Sequence, residues 1–207
     1  MDTGRSIPPI LHPSNTPWIS SMKLIVAMTG ASGALYTQRL LDKLDPHQHE
    51  IHFLATKHAR EVAQLELPKG ELKLLPQVIQ YREDDSMFVP FVSGSARFDA
   101  MVVIPASMGT IGRIAHGTSD STVARAGDVF LKERRKLILV PREAPYNLIH
   151  LRNMATLTEA GATIIPASPS FYTKPKTIAD LVDTIVARVL DHLGIEHKLI
   201  KRWQDGD

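Results

Sequence analysis

Five short runs of aliphatic and β-branched residues recur along the chain, and each gives way to a stretch with helical spacing. They are Lys23–Met28 (KLIVAM), His49–Ala55 (HEIHFLA), Ala100–Pro105 (AMVVIP), Lys136–Val140 (KLILV) and Ala162–Pro166 (ATIIP). Such runs are continuous rather than alternating, which marks strands covered on both faces. Helical spacing follows over 33–44, where Leu40, Leu41 and Leu44 share a face, and over 57–67, 108–116, 121–134, 147–160 and 178–193. Strands alternating with helices in this way predict an α/β fold. The expected architecture is three layers, a parallel sheet with helices on both faces. The stretch 72–95, with two prolines and a Ser-Gly-Ser turn, reads as irregular.

Residues 1–21 carry Pro8, Pro9, Pro13 and Pro17 among polar neighbours and read as a flexible tail. The remainder, 22–207, reads as a single domain. The tail has no apolar stretch of a signal peptide, and Arg5 is its one basic residue, so secretory and mitochondrial addresses are unsupported and a cytoplasmic location is expected. Composition narrows the function classes. With 43% hydrophobic and 22% charged residues, a disordered chain is excluded. No apolar run reaches the ~18–20 residues of a membrane span. Absence of Cys removes disulfide scaffolds, Cys-ligated zinc, iron–sulfur clusters and cysteine nucleophiles. A balance of 24 basic against 22 acidic residues gives no electrostatic case for nucleic acid. The nine His are scattered without an HExxH spacing, so no metal site is expected.

The chemistry is concentrated directly after the strands, where open α/β sheets bind ligands. Thr29-Gly30-Ala31-Ser32-Gly33, Thr56-Lys57, Pro105-Ala106-Ser107-Met108-Gly109-Thr110, Pro141-Arg142-Glu143-Ala144-Pro145 and Pro166-Ala167-Ser168-Pro169 supply small residues, hydroxyls, an Arg and a Glu. Thr29–Ala34 suits a phosphate at a helix start, or is a plain tight turn. It is neither GxGxxG nor a Walker loop, and Ala55-Thr56 stands where a dinucleotide site wants a ribose-binding acid. Ser107–Thr110 reads as a second phosphate-binding helix start or as simple capping by Ser107. Glu143 reads as a rim acid/base or a surface charge. Arg125 precedes Lys132 by seven residues, two helical turns, which puts both on one face able to grip an anion, within a charge run that otherwise reads as solvated. Trp203, in a polar C-terminal stretch, reads as a docking anchor.

Four stretches carry a resemblance: KLIVAMTGASGALY, SGSARFDAMVVIPASMGTIGRIAHG, STVARAGDVFLKERRKLILVPREAPYNLIHLRNM and GATIIPASPSFYTKPKTIADLVDTIVARVLDHLGI. Together they resemble the flavin prenyltransferases of UbiX type, from about Met22 to Trp203. PREAP beside LKERR, then FY and a helix containing VAR, is the specific combination. The resemblance implies a three-layer, Rossmann-like or flavodoxin-like sheet, residues 22–207 forming a single FMN-binding flavoprotein domain, assembled as a homododecamer with active sites at subunit contacts. It implies metal-independent joining of a dimethylallyl group from dimethylallyl monophosphate to N5 and C6 of reduced FMN. The prenylated FMN would serve a UbiD-type decarboxylase. It implies FMN contacts from Gly30, Ala31, Ser32, Thr56, Ser107, Met108, Gly109, Thr110 and Arg142. Ser93, Arg125, Lys132, Tyr172 and Arg188 would hold the prenyl phosphate, some from neighbouring subunits. Glu143 would transfer protons, Ser32 would assist near N5, and Trp203 would wall the prenyl pocket. Three positions depart from relatives: Ala106 where Cys is frequent, Ser86 where some have Trp, and Thr56 for Ser.

The residue types suit that chemistry. Breaking an allylic C–O bond puts positive charge on the prenyl group and negative charge on phosphate, which Arg and Lys stabilise. Two rival readings keep the fold. One is an FMN-dependent peptidyl-cysteine-type decarboxylase, whose loop reads PASANT where this chain has PASMGT. The other is a non-catalytic, flavin-carrying subunit of an aromatic acid decarboxylase.

Overall fold

The structure, a computed structural model, describes residues 21–82 and 87–200. Six parallel strands form one sheet: β1 Lys23–Met28, β2 Glu50–Ala55, β3 Ile79–Arg82, β4 Ala100–Ala106, β5 Lys136–Pro141 and β6 Thr163–Ile164. Six helices accompany them: α1 Ala34–Lys43, α2 Lys57–Glu66, α3 Met108–Ala115, α4 Thr122–Lys132, α5 Leu148–Glu159 and α6 Ile178–Leu193. The strand order is β3-β2-β1-β4-β5-β6, the doubly wound Rossmann order. The chain builds outward from β1 to β3, then returns to the other side of β1 and builds outward again. The reversal opens a crevice at the carboxyl ends of β1 and β4.

One strand departs from the sequence expectation. Ile79–Arg82 lies inside the stretch read as irregular, which also holds a 3-10 turn at Pro90–Val92. IQYR carries no apolar run because β3 is an edge strand with mostly exposed side chains.

Double-sided burial explains the unbroken apolar runs. Along β1, Leu24, Val26 and Met28 enter a core layer with α1, α2 and α6, while Ile25 and Ala27 enter a second layer with α3, α4 and α5. Each fully buried side chain of this size contributes ~1.5–3 kcal/mol. Helices α1 and α6 are pinned by Arg39, whose Nε donates to Asp183 Oδ1 at 2.8 Å while Asp183 is nearly buried. Helix α6 begins with a Thr177/Asp180 capping box and ends on Gly194 at φ 78°. Among the described residues, no helix is long and apolar enough to cross a membrane.

Candidate active site

A buried threonine sews the crevice together. Thr29, 1% exposed, follows β1. Its N–H donates to Pro105 O at 3.2 Å and its hydroxyl donates to the same oxygen at 2.8 Å. The hydroxyl in turn accepts the Ser107 N–H at 2.7 Å. The turns after β1 and β4 are thereby one unit. Ser107 caps α3, accepting the Thr110 N–H at 3.3 Å, with the two hydroxyl oxygens 3.1 Å apart. The Met108 and Gly109 amides at the start of α3 have no partner within the helix and remain donors for a ligand.

Arg142, at the end of β5, joins the same rim. Its N–H donates to Ala106 O at 3.4 Å, and its Nε donates to Ser32 O at 3.0 Å. On the β2 side, the Thr56 N–H donates to Met28 O at 3.1 Å, and its hydroxyl caps α2 through the Ala59 N–H at 3.1 Å. Gly30 packs against the first turn of α2, where a Cβ would lie 2.6 Å from His58 Cβ. All the residues expected at flavin therefore share one rim: Gly30, Ala31, Ser32, Thr56, Ser107, Met108, Gly109, Thr110 and Arg142.

The start of α1 does not fit a phosphate as the TGASGA spacing predicts. Glu66, at the end of α2, accepts the Gly33 and Ala34 N–H groups, both at 2.8 Å. The chain's own carboxylate occupies that helix start. Burial pushes the Glu66 carboxyl up, but the Ser32 hydroxyl, these two amides and the Arg142 charge together hold it below the usual carboxylate range. Gly33 is required here by its left-handed backbone, φ 118°. Glu66 escaped the sequence reading because it stands 33 residues beyond the turn, on a helix with no motif. Phosphate capacity falls instead to the start of α3, with its hydroxyls, amides and the nearby Arg142 guanidinium. That donor set suits the phosphate and ring carbonyls of a flavin mononucleotide.

Glu143 is exposed at this rim, its Oε1 accepting the Ala144 N–H at 3.0 Å. It lies near Tyr146, whose phenol is pushed up by burial and then by the Glu143 charge.

The residues expected at the prenyl phosphate are arranged differently. Ser93, Arg125 and Lys132 gather around the loop after Pro90–Val92. The Ser93 hydroxyl is 2.9 Å from that of Ser95. Arg125 Nε donates to Val92 O at 3.2 Å and its NH1 pairs with Asp128 at 2.9 Å. Lys132 pairs with Glu133, and a Cβ on Gly94 would lie 2.8 Å from Lys132 Nζ. An open groove of about 500 Å³, lined by Phe88, Val92, Ser93 and Ser95, runs beside them. Arg188 lies on α6 and pairs with Asp191 at 3.0 Å, while Tyr172 is exposed on the connection from β6 to α6. Helices α4 and α6 pack in the two different core layers, on opposite faces of the sheet. One chain therefore does not bring Arg188 together with Arg125 and Lys132. Trp203 and Ser86 lie outside the described residues. Among the described residues, no cluster of three or more His, Cys, Asp or Glu could hold a metal ion.

Comparison with known proteins gives the same direction. A family model described as Flavoprotein matches residues 14–190. The flavin prenyltransferase UbiX of Methanocaldococcus jannaschii is 45% identical over 182 residues, covering 88% of this chain and 98% of that protein. UbiX of Pseudomonas aeruginosa is 44% identical over 197 residues, covering 87% and 93%. Among solved structures, AnUbiX (PadA1) in complex with FMN and dimethylallyl pyrophosphate superposes with a TM-score of 0.82 at 38% identity, over 90% of this chain and all of that one. A dodecameric FMN-dependent UbiX-like decarboxylase from Escherichia coli O157:H7 gives 0.81 at 43% identity, over 88% and 100%. The peptidyl-cysteine decarboxylase EpiD, at 18% identity and a TM-score of 0.56, shares the fold alone. Identities of 45% and 44% along nearly the full length of the two UbiX relatives, with the fold of the solved structures, make this chain a member of the flavin prenyltransferase family of UbiX type.

Proposed function

We propose that this protein joins a dimethylallyl group to N5 and C6 of reduced FMN, taking it from dimethylallyl monophosphate and releasing phosphate, without a metal. The carrying observation is the rim at β1, β4 and β5, which Thr29 and Arg142 lock into one anion- and carbonyl-binding surface. When bound, reduced flavin supplies the nucleophilic positions. Every other task falls to side chains of this family member. Ser107, Thr110, Arg142 and the α3 amides hold the flavin, with Gly30, Ala31, Ser32, Met108, Gly109 and Thr56 shaping its bed. Arg125, Lys132 and Arg188, with Ser93 and Tyr172, hold the donor phosphate and stabilise the charge it gains as the allylic C–O bond breaks. Glu143 passes a proton toward the leaving phosphate, Ser32 assists beside N5, and Trp203 shields the prenyl group from water.

The opposite-face placement of Arg188 and the Arg125/Lys132 pair requires that more than one copy complete a phosphate site. Exposed apolar residues at the start of α5, Leu148, Ile149 and Leu151, and the fully exposed Phe88 offer the contacting surfaces. A dodecamer, as in the E. coli neighbour, fits this need. The recipient of the product is a UbiD-type decarboxylase, and the protein acts in the cytoplasm. Neither rival reading uses three cationic residues for a leaving phosphate. Anaerobic incubation with reduced FMN and dimethylallyl monophosphate, followed by mass spectrometry of the released flavin, is the test. A gain of one prenyl unit is expected without any partner protein. Unmodified flavin alone would sink the proposal.

A further inference from the structure

Arg188 does not stand alone on α6. Its NH1 donates to Asp191 Oδ2 at 3.0 Å, and Asp191 Oδ1 is 3.1 Å from His197 Nε2. The side chains become more buried along this line: Arg188 is 49% exposed, Asp191 11% and His197 5%. The far end is fixed by backbone, since the Leu199 N–H donates to His197 Nδ1 at 3.4 Å. With Nδ1 accepting, the ring proton sits on Nε2 and donates to Asp191. Asp191 meets Arg188 at NH1, and the Nε and NH2 edge of that guanidinium has the fork that matches two oxygens of a phosphate.

We infer that Asp191 and His197 are positioning residues that hold the Arg188 guanidinium in the orientation that receives the donor phosphate. The inference rests on the reading of Arg188 as a phosphate ligand. A long side chain on a helix surface loses rotamer freedom when it binds, and a prior clamp removes that cost before the substrate arrives. The buried imidazole does not touch the substrate. It keeps the Asp191 carboxylate from swinging away with the arginine.

The test uses the full assembled protein and compares R188A, D191A, H197A and H197Q, with the Gln amide standing in for Nε2–H. Readouts are KM for dimethylallyl monophosphate, kcat, FMN affinity and the melting temperature. R188A is expected to raise the donor KM about tenfold or more, and D191A and H197A about three- to tenfold, the scale of one ordinary intramolecular hydrogen bond. FMN affinity stays within about twofold in all three, kcat falls in R188A because Arg188 also stabilises the departing phosphate and falls by less in D191A and H197A, and H197Q stays near wild type in KM. D191A is expected to add almost nothing to R188A, because the two act through one group. An unchanged donor KM in D191A overturns the inference, as does an equal effect of D191A with and without Arg188. Equal losses in H197A and H197Q also overturn it, and that pair decides the matter if D191A does not fold. An unchanged donor KM in R188A removes the phosphate reading of Arg188 itself, and the inference with it.

Discussion

The crevice rim and the phosphate-gripping residues belong to one proposed reaction, yet the fold treats them differently. At the rim, functional positions bond to one another across strands: Thr29 to Ser107, Arg142 to Ser32, Glu66 to the Gly33 and Ala34 amides. The cationic residues instead pair with carboxylates near them in sequence, Arg125 with Asp128, Lys132 with Glu133 and Arg188 with Asp191. They are also divided between the two faces of the sheet. Under the proposed roles, one half of the site is built by folding, within a single chain, and the phosphate half by assembly of copies.

The largest expected effect separates chemistry from both halves. Glu143→Gln should lose about 10²–10⁴-fold in single-turnover prenyl transfer, the span attributed to a positioned proton donor. FMN affinity should stay within about twofold, because the carboxyl bonds to the adjacent Ala144 N–H rather than to a flavin-facing group. An unchanged transfer rate removes Glu143 from the reaction. Next in size is an assembly variant. Ile149→Asp puts a charge on a 65% exposed apolar side chain of α5, and should break the oligomer in sedimentation velocity. Transfer should drop at least about tenfold while the flavin rim stays formed, since desolvating an unpaired charge at a contact is costly. Full transfer by a monomer would refute the division of the site between copies.

A smaller effect probes the half made by folding. Thr29→Val keeps the shape but removes the hydroxyl between Pro105 O and the Ser107 N–H. Leaving the Ser107 N–H without its partner, while Pro105 O keeps the Thr29 N–H, should cost about 1–3 kcal/mol in denaturant unfolding. It should also weaken FMN binding several-fold, by loosening Ser107 and Thr110. Thr29→Ser should restore both. If FMN affinity is indifferent to Thr29→Val, the rim is not held as one unit.

The same contrast governs what the amino-acid sequence discloses. Strands β1, β2, β4 and β5 announce themselves because burial on two faces demands unbroken apolar runs, and Ser107 and Thr56 are legible as helix caps because capping is local. The edge strand β3 is hidden, since IQYR needs to bury almost nothing. Glu66 is hidden because its partners come from a turn 33 residues away. The TGASGA turn was legible as an anion-friendly helix start but not as one already filled. The spacing of Arg125 and Lys132 placed them on one helix face, yet nothing in it tells that α6 and Arg188 lie beyond the sheet. Sequence patterns report what an element does along itself. Contacts between distant elements follow from the winding of the sheet.

The smallest effect tests whether the rim is insulated from the rest of the molecule. His52, 3% exposed on β2, lies between Tyr81, whose hydroxyl is 3.0 Å from Nδ1, and Glu50, 2.7 Å from Nε2. Burial holds its pKa below the ordinary 6.5, outweighing the opposite pull of Glu50. Burial also lowers His49 and His192. For each, the unfolded chain takes up a proton at a higher pH than the folded one. Stability is therefore complete above about pH 6.5 and declines as pH falls below it, until the folded imidazoles titrate too. The Glu50 carboxyl, held low first by its Lys23 partner and then by His52, acts in a separate window below about 4.5. Denaturant unfolding at steps from pH 7.5 to 5 should show this decline, and His52→Gln should make it shallower. His52 is fixed beside the aromatic cluster of Tyr81, Phe91 and Phe98 and has no bond to the crevice. His52→Gln should therefore leave FMN affinity at pH 7.5 unmoved. A flat stability profile would mean that these imidazoles accept protons without strain, and a loss of FMN affinity would mean that the two ends of β2 are coupled.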